Sequence, residues 1–287
     1  MTNILELSNL TKKFDLFSLN NVSFSLPKGF IMGFIGHNGA GKTTTIKLIL
    51  DMLKKDSGSI KVFGKDNLIY KNEVMERIGV VMDSTYFVEE WNLADLEASV
   101  SPFYKNWNSK KYNDLLDDFY LDKSKKIKEL SRGMKVKLMI AVALSHDADL
   151  LILDEPTSGL DAVSRNELMD ILSDFITDEN KGVLFSTHIT TDLERVADFI
   201  TFINKGEIVY SGTREELLEK YLVIKGGRGI LEPSQRELIL GYREHSVGFD
   251  GLIEASMLRM MPESVVYEPC NLDDILVRTN MGGNSYE

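Results

Sequence analysis

Nine consecutive residues, Gly36-His37-Asn38-Gly39-Ala40-Gly41-Lys42-Thr43-Thr44, combine glycines that admit positive φ with a lysine and two hydroxyls. They lie between an apolar β-type run, Phe30 to Ile35, and an amphipathic run from Thr44 to Leu53, a pattern that predicts strand, loop and helix. The backbone N–H groups of such a loop, together with the dipole of the helix it opens, attract an anion. The anion that fits is a nucleotide polyphosphate. Lys42 is placed to reach the β- and γ-phosphates as a point charge, and the Thr43 hydroxyl to ligate Mg²⁺. His37 fills a variable position of the loop and is read as structural. The bland alternative is a glycine turn opening an ordinary core helix.

Asp154-Glu155 ends another apolar run, Leu150 to Leu153, which predicts a fully buried strand. Two adjacent carboxylates there are costly unless a cation or a wet site receives them. Asp154 suits oxygen coordination of Mg²⁺, and Glu155 suits orienting and deprotonating a water; a solvated strand end is the plainer reading. His188 follows a further buried strand, Gly182 to Ser186, and is a better ligand candidate at a parallel strand's end than a lone histidine elsewhere. Ser131 is an N-cap candidate for a helix through Leu144, and Leu130 to Met134 read alone is an ordinary capped helix start. Phe14 and Phe17, upstream of the phosphate loop, are each either base-stacking or core residues.

The elements that must position these groups follow from patterning. Ile4 to Leu7 and Val22 to Leu26 alternate as half-buried strands, Ser59 to Phe63 is a short strand, and Arg77 to Met82 is a buried strand ending at Asp83. From Ser84 to Leu130 charged and aromatic residues mix at helical spacing, predicting an inserted helical lobe in which Tyr86, Phe87 and Trp91 are docking candidates. Asp161 is an N-cap for a helix to Ile176 and Thr213 opens a capping box with Glu216. Beyond Gly226-Gly227 mixed short elements predict a small accessory lobe, and the tail Met281 to Glu287 is expected to fray.

With 287 residues and 43% hydrophobic content the chain suits one large domain with an appendage. A net charge of -11 disfavours wrapping a polyanion, so no nucleic-acid partner is expected. Cys270 is the one cysteine, which makes a reducing cytosolic setting the default. Met1 to Leu10 carries no charged-then-apolar leader, and Leu138 to Leu144 is far shorter than the roughly 20 residues of a membrane span.

The loop at Gly36 to Thr44, Leu130 to Met134, Asp154-Glu155, Ser158 to Asp161 and His188, in this order, resemble the nucleotide-binding subunit of an ABC transporter over about residues 1 to 221. The resemblance implies an α/β fold: a P-loop NTPase (RecA-like) core, an antiparallel β subdomain, a helical signature subdomain at about 84–145, and a small C-terminal α+β lobe at 222–287. It implies ATP and Mg²⁺ as cofactors, and hydrolysis with Glu155 activating water while His188 contacts the γ-phosphate. Ser131 and Gly133 would contact the γ-phosphate held by a second nucleotide-binding subunit, Asp161 would lie in the dimer-contact loop, and Phe14 would stack on adenine. The helical lobe would couple to a membrane permease from the cytoplasmic face.

Two motifs depart from the family pattern. Asp83 stands where a glutamine usually bridges Mg²⁺, water and the transport partner, and is taken with Thr43 and Asp154 as a metal-site residue. Arg132 and Met134 replace the signature's usual second glycine and final glutamine. With its separate lobe, the chain is similar to bacterial exporters whose ATPase and permease are separate chains, including those that expel antimicrobial or amphipathic peptides. The rival classes are a non-transport ATPase of the same superfamily acting on ribosomes or DNA, which commonly has two such domains or a long coiled-coil insertion, and a regulatory nucleotide-binding module without catalysis.

Overall fold

The computed structural model describes residues 2–281; Met1 and residues 282–287, within the tail expected to fray, lie outside the described residues. In chain order the elements are β1 (Asn3–Lys13), β2 (Ser18–Pro27), β3 (Ile31–Ile35), α1 (Lys42–Ile49), β4 (Ser57–Val62), β5 (Lys65–Asp66), α2 (Lys71–Met75) and β6 (Ile78–Val81). There follow α3 (Leu93–Val100), α4 (Ser109–Asp118), α5 (Arg132–Ser145), β7 (Leu150–Asp154), α6 (Ala162–Phe175), β8 (Gly182–Thr187), α7 (Thr190–Val196), β9 (Phe199–Asn204) and β10 (Glu207–Thr213). The chain closes with α8 (Arg214–Lys220), β11 (Tyr221–Gly226), α9 (Pro233–Arg236), β12 (Leu240–His245), β13 (Gly248–Glu254), β14 (Val266–Pro269) and α10 (Leu272–Met281).

These elements form two compact units, Met1–His188 with Arg195–Ser211, and Ile189–Glu194 with Gly212–Glu287. In the first, one sheet has the order β10-β9-β3-β8-β7-β6, and its neighbours from β9 to β6 run parallel. Every residue of β3, β7 and β8 is buried. Continuous apolar runs of this kind belong to parallel strands covered on both faces. A second sheet, β2-β1-β4-β5, is antiparallel and shows the alternation of a half-covered surface, with Leu5, Leu7, Leu10, Val22, Phe24 and Leu26 turned into the core. This is the expected α/β architecture with its antiparallel subdomain.

The lobe between Ser84 and Leu130 is less helical than its aromatic spacing predicts: α3 and α4 are its regular helices, and the stretch before Leu93 runs in turns and extended chain. Asn92 and Asn108 cap the two helices by accepting from the amides of Asp95 and Lys111 at 2.8 and 2.9 Å. Its core gathers Leu93, Leu96, Tyr112, Leu116, Ile127 and Leu138, with Phe87, Trp91, Trp107 and Phe119 packed at the margin. Tyr112 is fully buried and donates to the Leu93 carbonyl at 3.0 Å, and burial pushes its phenol pKa up. Phe103 and Tyr120 remain outside, 82% and 87% exposed.

The second unit is the α+β lobe, an antiparallel sheet ordered β12-β13-β11-β14 around Ile224, Leu231, Ile239, Phe249 and Ile253. Its boundary differs from the break expected after residue 221. Residues 189–194 and α8 belong with it because the Glu194 carbonyl accepts from Arg214, its carboxylate accepts from the Leu272 amide at 3.0 Å, and Cys270 Sγ donates to the Tyr221 carbonyl at 3.1 Å. Burial pushes the Cys270 thiol up to about 11, which makes it a packing residue and a poor nucleophile.

The helix that follows the phosphate loop is short, and its end is held from outside. Asn67, wholly buried just past β5, donates through Nδ2 to the carbonyls of Leu48 and Ile49 at 3.3 and 3.0 Å. The Leu48 carbonyl also accepts from the Asp51 amide at 3.2 Å, whereas the Ile49 carbonyl at the helix end has no partner inside α1. Asn67→Ala is expected to lower the unfolding free energy by about 1–3 kcal/mol, the cost of leaving the Ile49 carbonyl unpaired in a buried place. Urea unfolding checks this, and a change below about 0.5 kcal/mol would show that the cap contributes no more than an ordinary surface contact.

Candidate nucleotide-binding site

The C-terminal ends of three parallel strands converge on one place. β3 feeds the loop Gly36 to Gly41, β7 ends in Asp154-Glu155, and β8 ends at Thr187 before His188. Strand register sets the alignment: Ile35 faces Thr187 and Asp154 faces Ser186. Gly39 has φ 81°, and a Cβ there would meet nothing within 4 Å, so its backbone faces open space. Gly41, at φ 117° as the N-cap of α1, has the opposite reason: a Cβ would sit 2.5 Å from Leu19 Cδ2.

Lys42 is 5% exposed, and its ammonium donates to the Gly36 carbonyl at 2.7 Å and the His37 carbonyl at 3.3 Å. It also lies 3.1 Å from Glu155 Oε1. The other Glu155 oxygen is 2.7 Å from His188 Nδ1. An ionised carboxylate only accepts, so this ring nitrogen carries the proton. Lysine, glutamate and histidine thus form one continuous charge network across the strand ends.

Glu155 is not extended as the strand pattern predicts. It has φ 51°, in the left-handed region that a non-glycine residue enters rarely and at a cost. Its amide donates to the Ser186 carbonyl at 3.0 Å, which holds the turn. Ser186 Oγ donates to Asp154 Oδ1 at 2.7 Å, so one serine fixes both acids. Asp154 is 2% exposed. The sequence reading treats Ser186 only as a strand end; the signal that finds it is a hydroxyl opposite an acid in register.

A cavity of about 510 Å³ is lined by Leu16, Phe17, His37, Asn38, Gly39, Gly41, Lys42, Thr43, Thr44 and Glu155. The structure therefore brings most of the loop together with Glu155, while Gly36 and Ala40 do not line the cavity: Ala40 is buried, and a Cβ on Gly36 would meet the Ile203 carbonyl. Phe14 is 44% exposed and lines an adjoining cavity with Asp15, Leu16, Phe17 and Lys205. Its ring stacks 6.3 Å from that of Phe17. Leu16, fully exposed at the mouth, was not singled out from the sequence because an isolated leucine carries no chemical signal.

Asp83, Ser131 and Gly133 do not line the loop cavity. Asp83 pairs with Arg132 and borders a separate cavity of about 300 Å³ with Glu89, Leu130 and Lys135. Ser131 caps α5 by accepting from the Met134 amide at 3.2 Å, and Gly133 packs so that a Cβ would lie 3.1 Å from Ser164 Oγ. Asp161 caps α6, accepting from the Val163 and Ser164 amides at 2.9 Å; the Ser164 bonds hold its carboxyl below the usual range.

A further cavity, about 310 Å³ and largely apolar, lies between Val80, Met82, Tyr86, Phe87, Phe103, Tyr104 and His146. Tyr86 is 61% exposed there, whereas Phe87 and Trp91 are half-buried against the lobe core. His146 forms the floor, 2% exposed, with its ring 4.0 Å from that of Tyr104 in a near-parallel stack.

A glycine loop opening a helix at the C-terminal edge of a parallel sheet, with a buried lysine and a carboxylate–histidine pair beside it, defines a nucleotide-triphosphatase site. The family model for ABC transporters matches residues 19–158. The chain is 32% identical over 215 residues to the bacitracin transport ATP-binding protein BcrA of Bacillus licheniformis, across 73% of this chain and 69% of that one. It is 33% identical over 234 residues to the lantibiotic transport ATP-binding protein SrtF of Streptococcus pyogenes, across 78% of this chain and 100% of that one. The solved structure of an ATP-binding subunit of an ABC transporter superposes with a TM-score of 0.68 at 27% identity, covering 75% of this chain and 91% of that one.

The chain belongs to the ATP-binding proteins of ABC transporters. It binds ATP, hydrolyses it to drive transport, and works with a separate membrane permease. Among the described residues no helix is long and apolar enough to cross a membrane.

Burial holds the His146 pKa below its ordinary value, outweighing the nearby Asp147. The unfolded chain therefore binds the proton that the folded one resists, and stability falls as pH drops below about 6.5. His146→Phe keeps a ring on Tyr104 and is expected to flatten this dependence. Urea midpoints of both proteins at pH 7.5 and 5.5 check it; equal slopes would remove His146 as the cause.

Proposed function

We propose that the chain powers export of antimicrobial or amphipathic peptides, acting as a dimer of nucleotide-binding subunits on the cytoplasmic face of a membrane. The cargo class is supported by relatives that transport bacitracin and a lantibiotic. The docking site for the permease is the apolar groove around Tyr86, Phe87 and Phe103, which offers exposed aromatic surface on the lobe.

The carrying observation is the Lys42–Glu155–His188 network. Without nucleotide, Glu155 faces a buried ammonium through Oε1 and an imidazole through Oε2, so both its oxygens are turned to side chains of the protein. Incoming phosphates compete for Lys42 through charge-assisted bonds and release Oε1 to a water. His188, oriented by Oε2, stands beside the terminal phosphate. The loop amides from Gly36 to Thr44 cradle the phosphate chain, with Phe14 as the aromatic face for adenine and Leu16 and Phe17 walling the mouth. Ser131 and Gly133, which lie away from their own chain's loop, close the site of a second copy, with Asp161 in the adjoining contact.

Mg²⁺ fits the donor set. Asp154 is a buried carboxylate and Thr43, which lines the loop cavity, offers a hydroxyl, both hard oxygen donors; this ion keeps waters and phosphate oxygens as its other ligands. Among the described residues no cluster of three or more acidic, histidine or cysteine side chains forms a cage on its own. Bound there, the ion would neutralise phosphate charge.

Glu155→Gln is expected to bind ATP and to lose turnover by about 10²- to 10⁴-fold, the range of a general base. Steady-state hydrolysis within tenfold of wild type would remove Glu155 from that role. The same variant, tagged and solubilised gently in Mg·ATP, should carry a polytopic membrane protein identifiable by mass spectrometry. Recovery of ribosomal or DNA-associated proteins alone would overturn the transport reading.

A further inference from the structure

The two departures from the family pattern meet in space. Arg132, the first residue of α5, pairs with Asp83, 49 residues earlier in the chain. One helical turn on, Lys135 pairs with Glu89 at 3.2 Å. Residues three apart share a helix face, so two cations on α5 meet two acids on the segment leaving β6, and all four line one cavity. The Arg132 stem also crosses the turn between β7 and α6: a Cβ added to Gly159, which has φ 71°, would meet Arg132 Cδ at 3.2 Å and Nε at 3.3 Å.

Local helix energetics do not favour this arrangement. Both cations sit in the first turns of α5, where no acidic residue offsets them and the helix dipole repels positive charge. The pairs are exposed, Arg132 at 42% and Asp83 at 60% of their side chains, so they add little to global stability. What the guanidinium supplies is direction. Its planar fork fixes orientation on a carboxylate, which a flexible ammonium or a neutral amide does less well.

We propose that Arg132 and Asp83 form a positioning pair, which sets the N-terminus of α5 relative to the segment after β6 and the Gly159 turn. This inference rests on the proposed role of Ser131 and Gly133, because the pair acts by presenting those residues to the terminal phosphate in the second copy. The two substitutions are thus a matched set: either charge alone would misplace α5, and both together hold it.

The test uses the full chain with Arg132→Gln, Asp83→Asn, and the swap Asp83→Arg with Arg132→Glu. Hydrogen exchange over residues 130–136, measured without nucleotide, should rise roughly fivefold in each single variant, the scale of one exposed ion pair, and return to within about twofold of wild type in the swap. Affinity for a fluorescent ATP analogue at the chain's own loop should stay within about twofold, while kcat falls roughly fivefold in the singles and recovers in the swap. Failure of the swap to restore exchange, or singles that exchange like wild type, would overturn the pair. Restored exchange without restored kcat would overturn its catalytic consequence. Wild-type chain without hydrolysis would count against Glu155 as base, while the exchange pattern would still decide the pair.

Discussion

A lysine ammonium buried to 5% exposure is the constraint from which the site follows. A charge in that position must be paired or it will not stay charged. The protein meets the demand with two backbone carbonyls of the phosphate loop and one carboxylate oxygen. The carbonyls can turn inward only because the loop passes through glycine conformations, and the carboxylate can reach only because Glu155 leaves its strand at positive φ. The arrangement costs backbone strain in the resting chain. It also makes the resting chain complementary to a polyanion: a cation whose carboxylate partner can be exchanged, a ring of amides and a helix N-terminus surround a cavity into which phosphates fit.

Precision at the site comes from the sheet. Parallel register places Ile35, Asp154 and Thr187 at the same edge, so the phosphate loop, the acids and the histidine emerge together from strands that are buried throughout. Packed strands move little. The two acids inherit that rigidity through Ser186, which bonds Asp154 with its hydroxyl and Glu155 with its carbonyl. By contrast, Phe14 and Leu16 stand on the turn between β1 and β2, where the Phe14 amide bonds the Phe17 carbonyl and little else constrains the tip. The lysine end of the cavity is built on rigid strands, and its mouth is walled by exposed side chains.

Much of this was legible in the residues, for physical reasons. The buried strands are continuous apolar runs, the caps at Ser131, Asp161 and Thr213 are short polar side chains with the right followers, and a glycine loop with lysine and threonine has few other uses. What escaped were properties of pairs distant in sequence. Asn67 caps a helix that ends 18 residues earlier, and no local pattern announces it. The left-handed turn at Glu155 is imposed by β8, against the residue's own preference. The helical spacing of aromatics after Ser84 overstated helix, since Phe87 and Trp91 reach the lobe core from turns. The second unit claims residues 189–194 through Glu194, whose bonds to Arg214 and Leu272 are invisible in sequence order.

Asp83 and Arg132 show how such pairs change the meaning of a substitution. Taken singly, an acid near phosphate reads as a liability or a metal ligand, and an arginine inside a phosphate-contacting motif reads as damage. Their ion pair cancels both charges within the chain. Asp83 then adds no net repulsion toward a triphosphate, and the Arg132 side chain is drawn over Gly159, away from the cap that Ser131 makes with Met134. The backbone and hydroxyl groups of Ser131 and Gly133 therefore keep the surroundings that a small neutral residue at position 132 would leave them. Two charged positions that depart from the family pattern thus answer each other within the chain, and neither can be read without its partner.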